Sequence, residues 1–230
     1  KPTGERYALD ADGLRLLAPV IPSKVYGLAK NYEAHAQFMH ESGHSEIAHA
    51  PEDMVIFSKP STSVIGPDDP IVIPSYSNDM NFEPEVAVIM GRIAKNVPVE
   101  KAMDYVLGFT CVNDVTLRDL QGLDPMWTRA KGFDTSCPLG PWIQTELDWK
   151  DAKISFTLNG EDVPMASGTT ANLIHGIPEQ IAAISSFSTL LPGDVIMTGT
   201  PNASGHLDPG DEPIVHVAGI GSLRNVVVRG

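Results

Sequence analysis

Short apolar runs separated by turn residues dominate the chain. Runs rich in Val, Ile, Phe or Thr and bounded by Gly, Pro, Asn or Asp predict strands at Val25–Leu28, Met54–Phe57, Ile71–Ile73, Phe82–Met90, Val106–Val112, Trp142–Gln144, Ile154–Leu158, Asp194–Met197, Pro213–Val217 and Asn225–Val228. Asn159-Gly160 directly follows one of these runs and is a strong two-residue hairpin signal. Helical spacing is rarer. It predicts helices over Tyr32–His40, Val99–Val106, Thr116–Gly122 and Ile177–Thr189, with a short helical turn in the Thr-Thr-Ala-Asn stretch ending at Asn172. No repeat, heptad pattern or low-complexity linker interrupts this order. The pattern predicts a mainly β fold with a few helices, of the α+β class, in one domain over residues 23–230. Residues 1–22 read as a partial leader segment to it.

The segment Phe82-Glu83-Pro84-Glu85-Val86-Ala87-Val88-Ile89-Met90 carries the most chemistry. Side chains alternate faces along a strand, so Glu83 and Glu85 share a face with Ala87 and Ile89, while Phe82, Pro84, Val86, Val88 and Met90 share the other. Both faces turn apolar within two residues, which predicts a strand buried on both sides. Two carboxylates at the edge of a core repel each other and lose hydration, at a cost of several kcal/mol per ion if left unpaired. Three arrangements relieve that cost: one carboxyl keeps its proton, basic side chains pair with the acids, or a cation sits between them. Hard oxygen ligands of this kind suit Mg²⁺, Mn²⁺ or Ca²⁺. Equally, the strand can fray into solvent at Glu83 and leave both acids wet. A second run, from Val106, ends in Asp114. A strand end is a rigid mount for a site residue. Asp114 is placed either to add a third oxygen ligand or to cap a helix that starts near Thr116.

Composition narrows the classes. The chain has 230 residues, 42% of them hydrophobic, a globular composition long enough for one large core. No apolar stretch approaches the ~18 residues of a membrane-spanning helix. The formal charge of −13 at pH 7 argues against nucleic acid or an anionic membrane as partner, and it requires any site for an anionic substrate to gather local positive charge. Cys111 and Cys137 are the only cysteines; they read as inert core thiols and point to the cytoplasm. The polar segment from Ala34 to Asp53 holds His35, His40, His44 and His49 with Gly43, and is either a mobile lid or an ordinary surface loop.

Several motifs occur in a fixed order: Phe57-Ser58-Lys59-Pro60-Ser61, Glu83-x-Glu85, Asn113-Asp114 through Arg118-Asp119-Leu120-Gln121, Arg129-Ala130-Lys131-Gly132-Phe133-Asp134, Leu191 through Thr200-Pro201, and Gly219 through Asn225. The ordered set, from about Val25 to Val228, resembles the fumarylacetoacetate hydrolase family. That resemblance implies a mixed β-sandwich roll, a homodimer, and Mg²⁺ or Mn²⁺ held by Glu83, Glu85 and Asp114. Lys131 is similar to the family's active-site lysine. Arg118, Gln121 and Thr200 are similar to residues that contact the carboxylate end of a 2-oxo acid. The implied partner is thus a small 2-oxo acid substrate, gripped by a metal acting as Lewis acid, with Lys131 stabilising charge on an enolate. By themselves, Lys131 reads as a solvated surface lysine and Arg118-Asp119 as a surface pair.

One stretch departs from the family pattern. Ala29-Lys30-Asn31-Tyr32-Glu33-Ala34-His35 resembles the segment carrying a catalytic histidine, with Lys30 where relatives often have Arg. In hydrolytic members that histidine pairs with a glutamate shortly after it, and the pair activates water. Three positions after His35 this chain has Phe38, which on a helix can pack against the imidazole but cannot accept its proton. Glu33, Glu41 and Glu46 are the acids left to partner it. The whole-chain resemblance and His35 imply hydrolysis of an acylpyruvate such as fumarylpyruvate. Phe38 favours the alternatives, decarboxylation or keto–enol tautomerisation of oxaloacetate or a longer 2-oxo diacid.

Overall fold

The computed structural model describes residues 15–46 and 48–230. Every predicted strand has a counterpart. The largest sheet is mixed, with seven strands in the order Val55–Lys59, Val25–Ala29, Val195–Met197, Pro84–Met90, Val106–Asn113, Cys137–Gln144, Val64–Ile65. Val25–Ala29 runs parallel to Val195–Met197, and Val64–Ile65 runs parallel to the start of Cys137–Gln144. The other neighbours are antiparallel. A second sheet orders Glu161–Asp162, Lys153–Leu158, Pro213–Val217 and Gly221–Arg224, with Gly168–Thr169 also paired to Lys153–Leu158. Asn159 and Gly160 have φ of 54° and 82°, the positive values a two-residue hairpin turn needs, and they pair Leu158 with Glu161.

The main core lies between these two sheets. Val86, Val88, Phe109, Cys111 and Ile196 meet Ile154, Phe156, Val215 and Val217, and Phe82 stacks on Phe156 with ring centroids 4.0 Å apart. The helix Ile177–Phe187 adds Ile177, Ile181 and Ile184. A smaller core covers the opposite face of the large sheet with Val25, Phe57, Ala87, Ile89, Val112, Cys137, Leu139, Val195 and Met197. The alternation expected along Phe82–Met90 therefore holds: Phe82, Val86, Val88 and Met90 enter the main core, while Ala87 and Ile89 enter the smaller one. Each fully buried aliphatic side chain stabilises by roughly 1.5–3 kcal/mol. That anchorage makes the strand a firm support for the acids at its end.

The differences from expectation have local causes. Phe82–Met90 is two strands, Met80–Phe82 and Pro84–Met90, with Glu83 outside both. Pro84 has no N–H, so the ladder breaks there. Met80–Phe82 joins a separate small sheet with Thr116–Leu117 and Gly205–His206. The helix expected over Thr116–Gly122 shrinks to Arg118–Gln121, because Thr116–Leu117 is taken by that small sheet. Val99–Tyr105 is a 3₁₀ helix, and Cys137–Gln144 starts earlier than its Pro138, Gly140 and Pro141 suggested. A four-residue helix, Thr128–Lys131, was not expected.

Of the leader, residues 15–22 are described; Arg15 pairs with Asp69 at 2.5 Å and Val20 packs on the smaller core. Residues 1–14 lie outside the described residues. In the polar segment, Glu33–Glu41 is a helix that buries His35, Ala36 and Met39, and Ile47 lies outside the described residues. Cys111 and Cys137 are buried and free, and burial pushes both thiols up to about 12. No described helix is long and apolar enough to cross a membrane.

Candidate active site and metal centre

Glu83, Glu85 and Asp114 meet at one end of the smaller core. Their strands are neighbours, with Pro84 opposite Asn113. Although Glu83 falls outside the ladder, its backbone is fixed. Its N–H donates to Asn113 Oδ1 at 2.9 Å, and its carbonyl accepts from the Asp114 N–H at 2.9 Å. One carboxylate oxygen from each acid lies within 4.8 Å of the others, and all three residues are buried. Glu83 is thus not frayed into solvent. Nor does Asp114 cap a helix, since the helix starts at Arg118 with Leu117 as its N-cap.

Buried cations surround the acids. Lys131 Nζ is 2.7 Å from Glu83 Oε2 and 2.5 Å from Asp114 Oδ2. Arg118 Nη2 donates to Glu83 Oε1 at 2.7 Å, and Lys59 Nζ lies 2.8 Å from Asp114 Oδ1. Burial opposes the charge of Glu83, but Lys131 and Arg118 outweigh it and hold the carboxyl far below its usual range. Burial likewise opposes the Lys131 ammonium, and Asp114 and Glu83 outweigh that, raising its pKa. Lys131 is therefore no surface lysine. Arg118 is no surface partner of Asp119 either, because Asp119 accepts from Ser77 Oγ and the Asn78 N–H.

Glu85 is treated differently. Burial, then the charges of Asp114 and Glu83, push its pKa well above the ordinary value. Its hydrogen bond comes from the Gly199 N–H at 2.7 Å. Gly199 has φ of 104°, and a Cβ there would lie 3.0 Å from Asn31 Cβ and 3.2 Å from Leu28 O, so glycine alone presents its N–H this way. Asp114 Oδ1 feels the Lys59 charge yet accepts no hydrogen bond among the described residues. The three Lys59 protons go to the carbonyls of Val115, Lys131 and Ser136. An uncompensated buried carboxylate, a bare carboxylate oxygen and three hard donors fit Mg²⁺ or Mn²⁺, which take oxygen ligands and leave positions for water and substrate.

His35 is buried, and its Nδ1 lies 2.6 Å from the carbonyl oxygen of Asn202. A carbonyl only accepts, so Nδ1 carries the proton and Nε2 the lone pair. Burial lowers the His35 pKa; the negative charge of Glu83 and the Asn202 bond only partly oppose it. The Phe38 ring stacks on the imidazole at 6.4 Å and 26°. Glu33 accepts from the Ala50 N–H and Glu41 from Gln37. The partner of Nδ1 is thus a backbone carbonyl and not a carboxylate.

A cleft of about 370 Å³ joins these groups, within the size class of small-molecule sites. It is lined by every residue singled out from the sequence: His35, Glu83, Glu85, Asp114, Arg118, Gln121, Lys131 and Thr200. Arg118 Nη1 donates to Gln121 Oε1 at 2.6 Å, while its buried Nε finds no partner among the described residues. The Thr200 hydroxyl donates to the carbonyl of Pro84 at 3.1 Å. Met39, Phe57, Leu123 and Trp127 give the cleft an apolar wall. Three contributors were given no site role from sequence. Lys30 lines the cleft with φ of 54° and bonds Ser45 Oγ at 2.6 Å. Ser204 accepts from Arg118 Nη2. Lys59 is the third, and its spacing from Phe57 on a strand was a signal that it faces the core.

The mostly β fold gathers a buried carboxylate triad that could hold a metal ion, three buried cations and a histidine in and around one cleft. The family profile described as fumarylacetoacetate (FAA) hydrolase C-terminal matches residues 24–228, and the chain belongs to this family. It is similar to a crystal structure of 5-carboxymethyl-2-hydroxymuconate delta-isomerase from Mycobacterium smegmatis: 46% identity, TM-score 0.84, covering 94% of this chain and 82% of that one. It is 38% identical over 224 residues to the mitochondrial oxaloacetate tautomerase of Rattus norvegicus, covering 92% of this chain and 69% of that protein. A fumarylacetoacetate hydrolase structure from Exiguobacterium antarcticum matches with 35% identity and TM-score 0.83, covering 95% and 80% of the two chains.

Proposed function

We infer that this protein is a divalent-metal-dependent enzyme that interconverts the enol and keto forms of a small 2-oxo diacid of the oxaloacetate class. The observation that carries this reading is the pairing of His35 with the Asn202 carbonyl, with Phe38 stacked beside it. Activating water demands a strong base, usually a histidine whose imidazolium is stabilised by a carboxylate. Tautomerisation demands less: a proton already made acidic by the adjacent carbonyl is taken up and returned. A neutral His35 with a free Nε2 suits that shuttle.

The other groups follow from their chemistry. Arg118 and Gln121 bind the carboxylate next to the 2-oxo group, and the unpartnered Arg118 Nε has capacity for it. The Lys131 ammonium offsets negative charge developing on the enolate oxygen. A divalent ion held by Glu83, Glu85 and Asp114 supplies Lewis-acid polarisation of the 2-oxo group. The resemblance of the whole chain ranks acylpyruvate hydrolysis first, and the hydrolase among the relatives keeps it as the second reading. The surroundings of His35, together with the tautomerase and isomerase relatives, support the reversed order.

The test is a side-by-side assay with Mg²⁺ or Mn²⁺. Decay of enol-oxaloacetate absorbance, pyruvate release from oxaloacetate and loss of acetylpyruvate or fumarylpyruvate are measured on one preparation. Metal-dependent enol decay well above the buffer rate, with slow acylpyruvate loss, is the expected result. Acylpyruvate cleavage with enol decay at the buffer rate overturns it.

A further inference from the structure

The Lys59 side chain is fully buried, at 0% exposure, and the proposed reaction gives it no role. Its surroundings are specific. The strand Val55–Lys59 turns Phe57 and Lys59 to the same side, with Ser58 exposed between them. Lys59 Nζ donates to the carbonyls of Val115 at 3.2 Å, Ser136 at 2.8 Å and Lys131, and stands 2.8 Å from Asp114 Oδ1. Val115 follows Asp114 directly, and Lys131 ends the short helix Thr128–Lys131. Phe57 meets the other end of the same lysine, with the Lys131 ammonium 4.9 Å above its ring centroid. One strand thus grips Lys131 at its backbone and at its charged tip, and grips Asp114 at its carboxylate and through the next carbonyl.

We propose that Lys59 is a positioning residue that sets the places of Asp114 and Lys131 in the metal and substrate site. The physical reason is that neither of those residues sits in an element that can hold it. Asp114 lies just past the end of its strand, and a four-residue helix is too short to be stable by itself. A single ammonium with three donors on one nitrogen ties both to the strand Val55–Lys59. It also brings positive charge to Asp114 Oδ1 while donating no hydrogen bond to it, so that oxygen keeps a lone pair for a ligand. A bulk core lysine would stabilise the fold and leave ligand binding alone.

This rests on the metal-centred reading above, and the experiment separates the two. Mn²⁺ affinity is measured by titration calorimetry, and the bound ion by electron paramagnetic resonance, for wild type, Lys59→Met and Lys59→Arg. Enol-oxaloacetate kinetics and thermal melting accompany them. The methionine keeps the length and removes the charge and all three donors. Lys59→Met is expected to bind Mn²⁺ at least tenfold more weakly, with an altered resonance spectrum and a raised KM. Lys59→Arg keeps the charge but cannot serve three carbonyls from one nitrogen. It is expected to lose at least threefold, and it carries the test if the methionine variant does not fold. Mn²⁺ affinity, spectrum and KM like wild type, with only the melting temperature lowered, overturn the proposal. Absence of Mn²⁺ binding by wild type removes the metal-centred reading and this inference with it.

Discussion

Glu85 is the acid whose charge the protein leaves uncompensated. Its pKa is raised by burial and by Asp114 and Glu83, so its ionised form costs folding free energy above the ordinary glutamate range and nothing below it. Glu85→Gln keeps the shape and can still accept from the Gly199 N–H. Without metal it is expected to melt no lower than wild type and to gain about 1 kcal/mol or more at neutral pH. That gain should shrink as pH falls toward the ordinary glutamate value and be gone by about pH 4, while Mn²⁺ binding and turnover are lost; calorimetry in EDTA and in Mn²⁺ reads both. A second substitution tests what Phe38 does. Phe38→Glu places a carboxylate one helical turn from His35, and acylpyruvate cleavage relative to enol decay should rise at least tenfold. An unchanged ratio counts against the role given to the His35 environment. At this scale the sequence was readable where chemistry is local. Strand alternation put Glu83 and Glu85 together, and the spacing of Phe38 from His35 foretold the ring stack. Asn202, the true partner of His35, is 167 residues away, and no local pattern points to it.

The elements that build the site are held by their ends. Asp194 shows this at the start of the strand Val195–Met197. Its carboxylate accepts from the Ser23 N–H and hydroxyl, the Lys24 ammonium at 2.5 Å and the Leu191 N–H at 2.7 Å. Burial works against the charge, but these bonds outweigh it and hold the carboxyl below its usual range. A depressed carboxylate stabilises the fold above its unfolded pKa of about 4 and loses that contribution as pH falls through the folded value. Asp194→Asn is expected to lower stability by about 2 kcal/mol at neutral pH and to flatten the acid limb of the stability curve. Urea melts from pH 7 to pH 3 check both. Strands were legible because β-branched runs and turn residues coincide, as along Val25–Ala29 and Pro213–Val217. The strand character of Thr116–Leu117 was not. It depends on Met80–Phe82 pairing across to Thr116–Leu117 in a separate sheet, a tertiary choice that short-range periodicity cannot carry.

For the whole molecule, an ion at the proposed metal site would couple the site to the fold. An ion that binds only the native state at a hundred times its Kd stabilises by about 2.7 kcal/mol. For a chain of this size that corresponds to roughly 5–10 °C in melting temperature. Mn²⁺ should raise the melting temperature of EDTA-treated protein by this order, and oxalate should add to it only when Mn²⁺ is present. Oxalate stabilisation without metal would contradict the metal-centred grip. The order of motifs made the family and the grouping of Glu83, Glu85 and Asp114 readable from sequence. The site's internal charge balance was not, since Lys131 and Arg118 read by themselves as surface residues until burial is known. With Glu85 ionised, Glu83, Glu85 and Asp114 face Lys59, Lys131 and Arg118, and the cluster carries no net charge. A divalent ion makes it doubly positive, and a dianion returns it to zero where a monoanion leaves it charged. The enol and keto forms of a diacid carry the same two charges. Under the proposed tautomerisation, turnover in either direction would leave the net charge of the site unchanged.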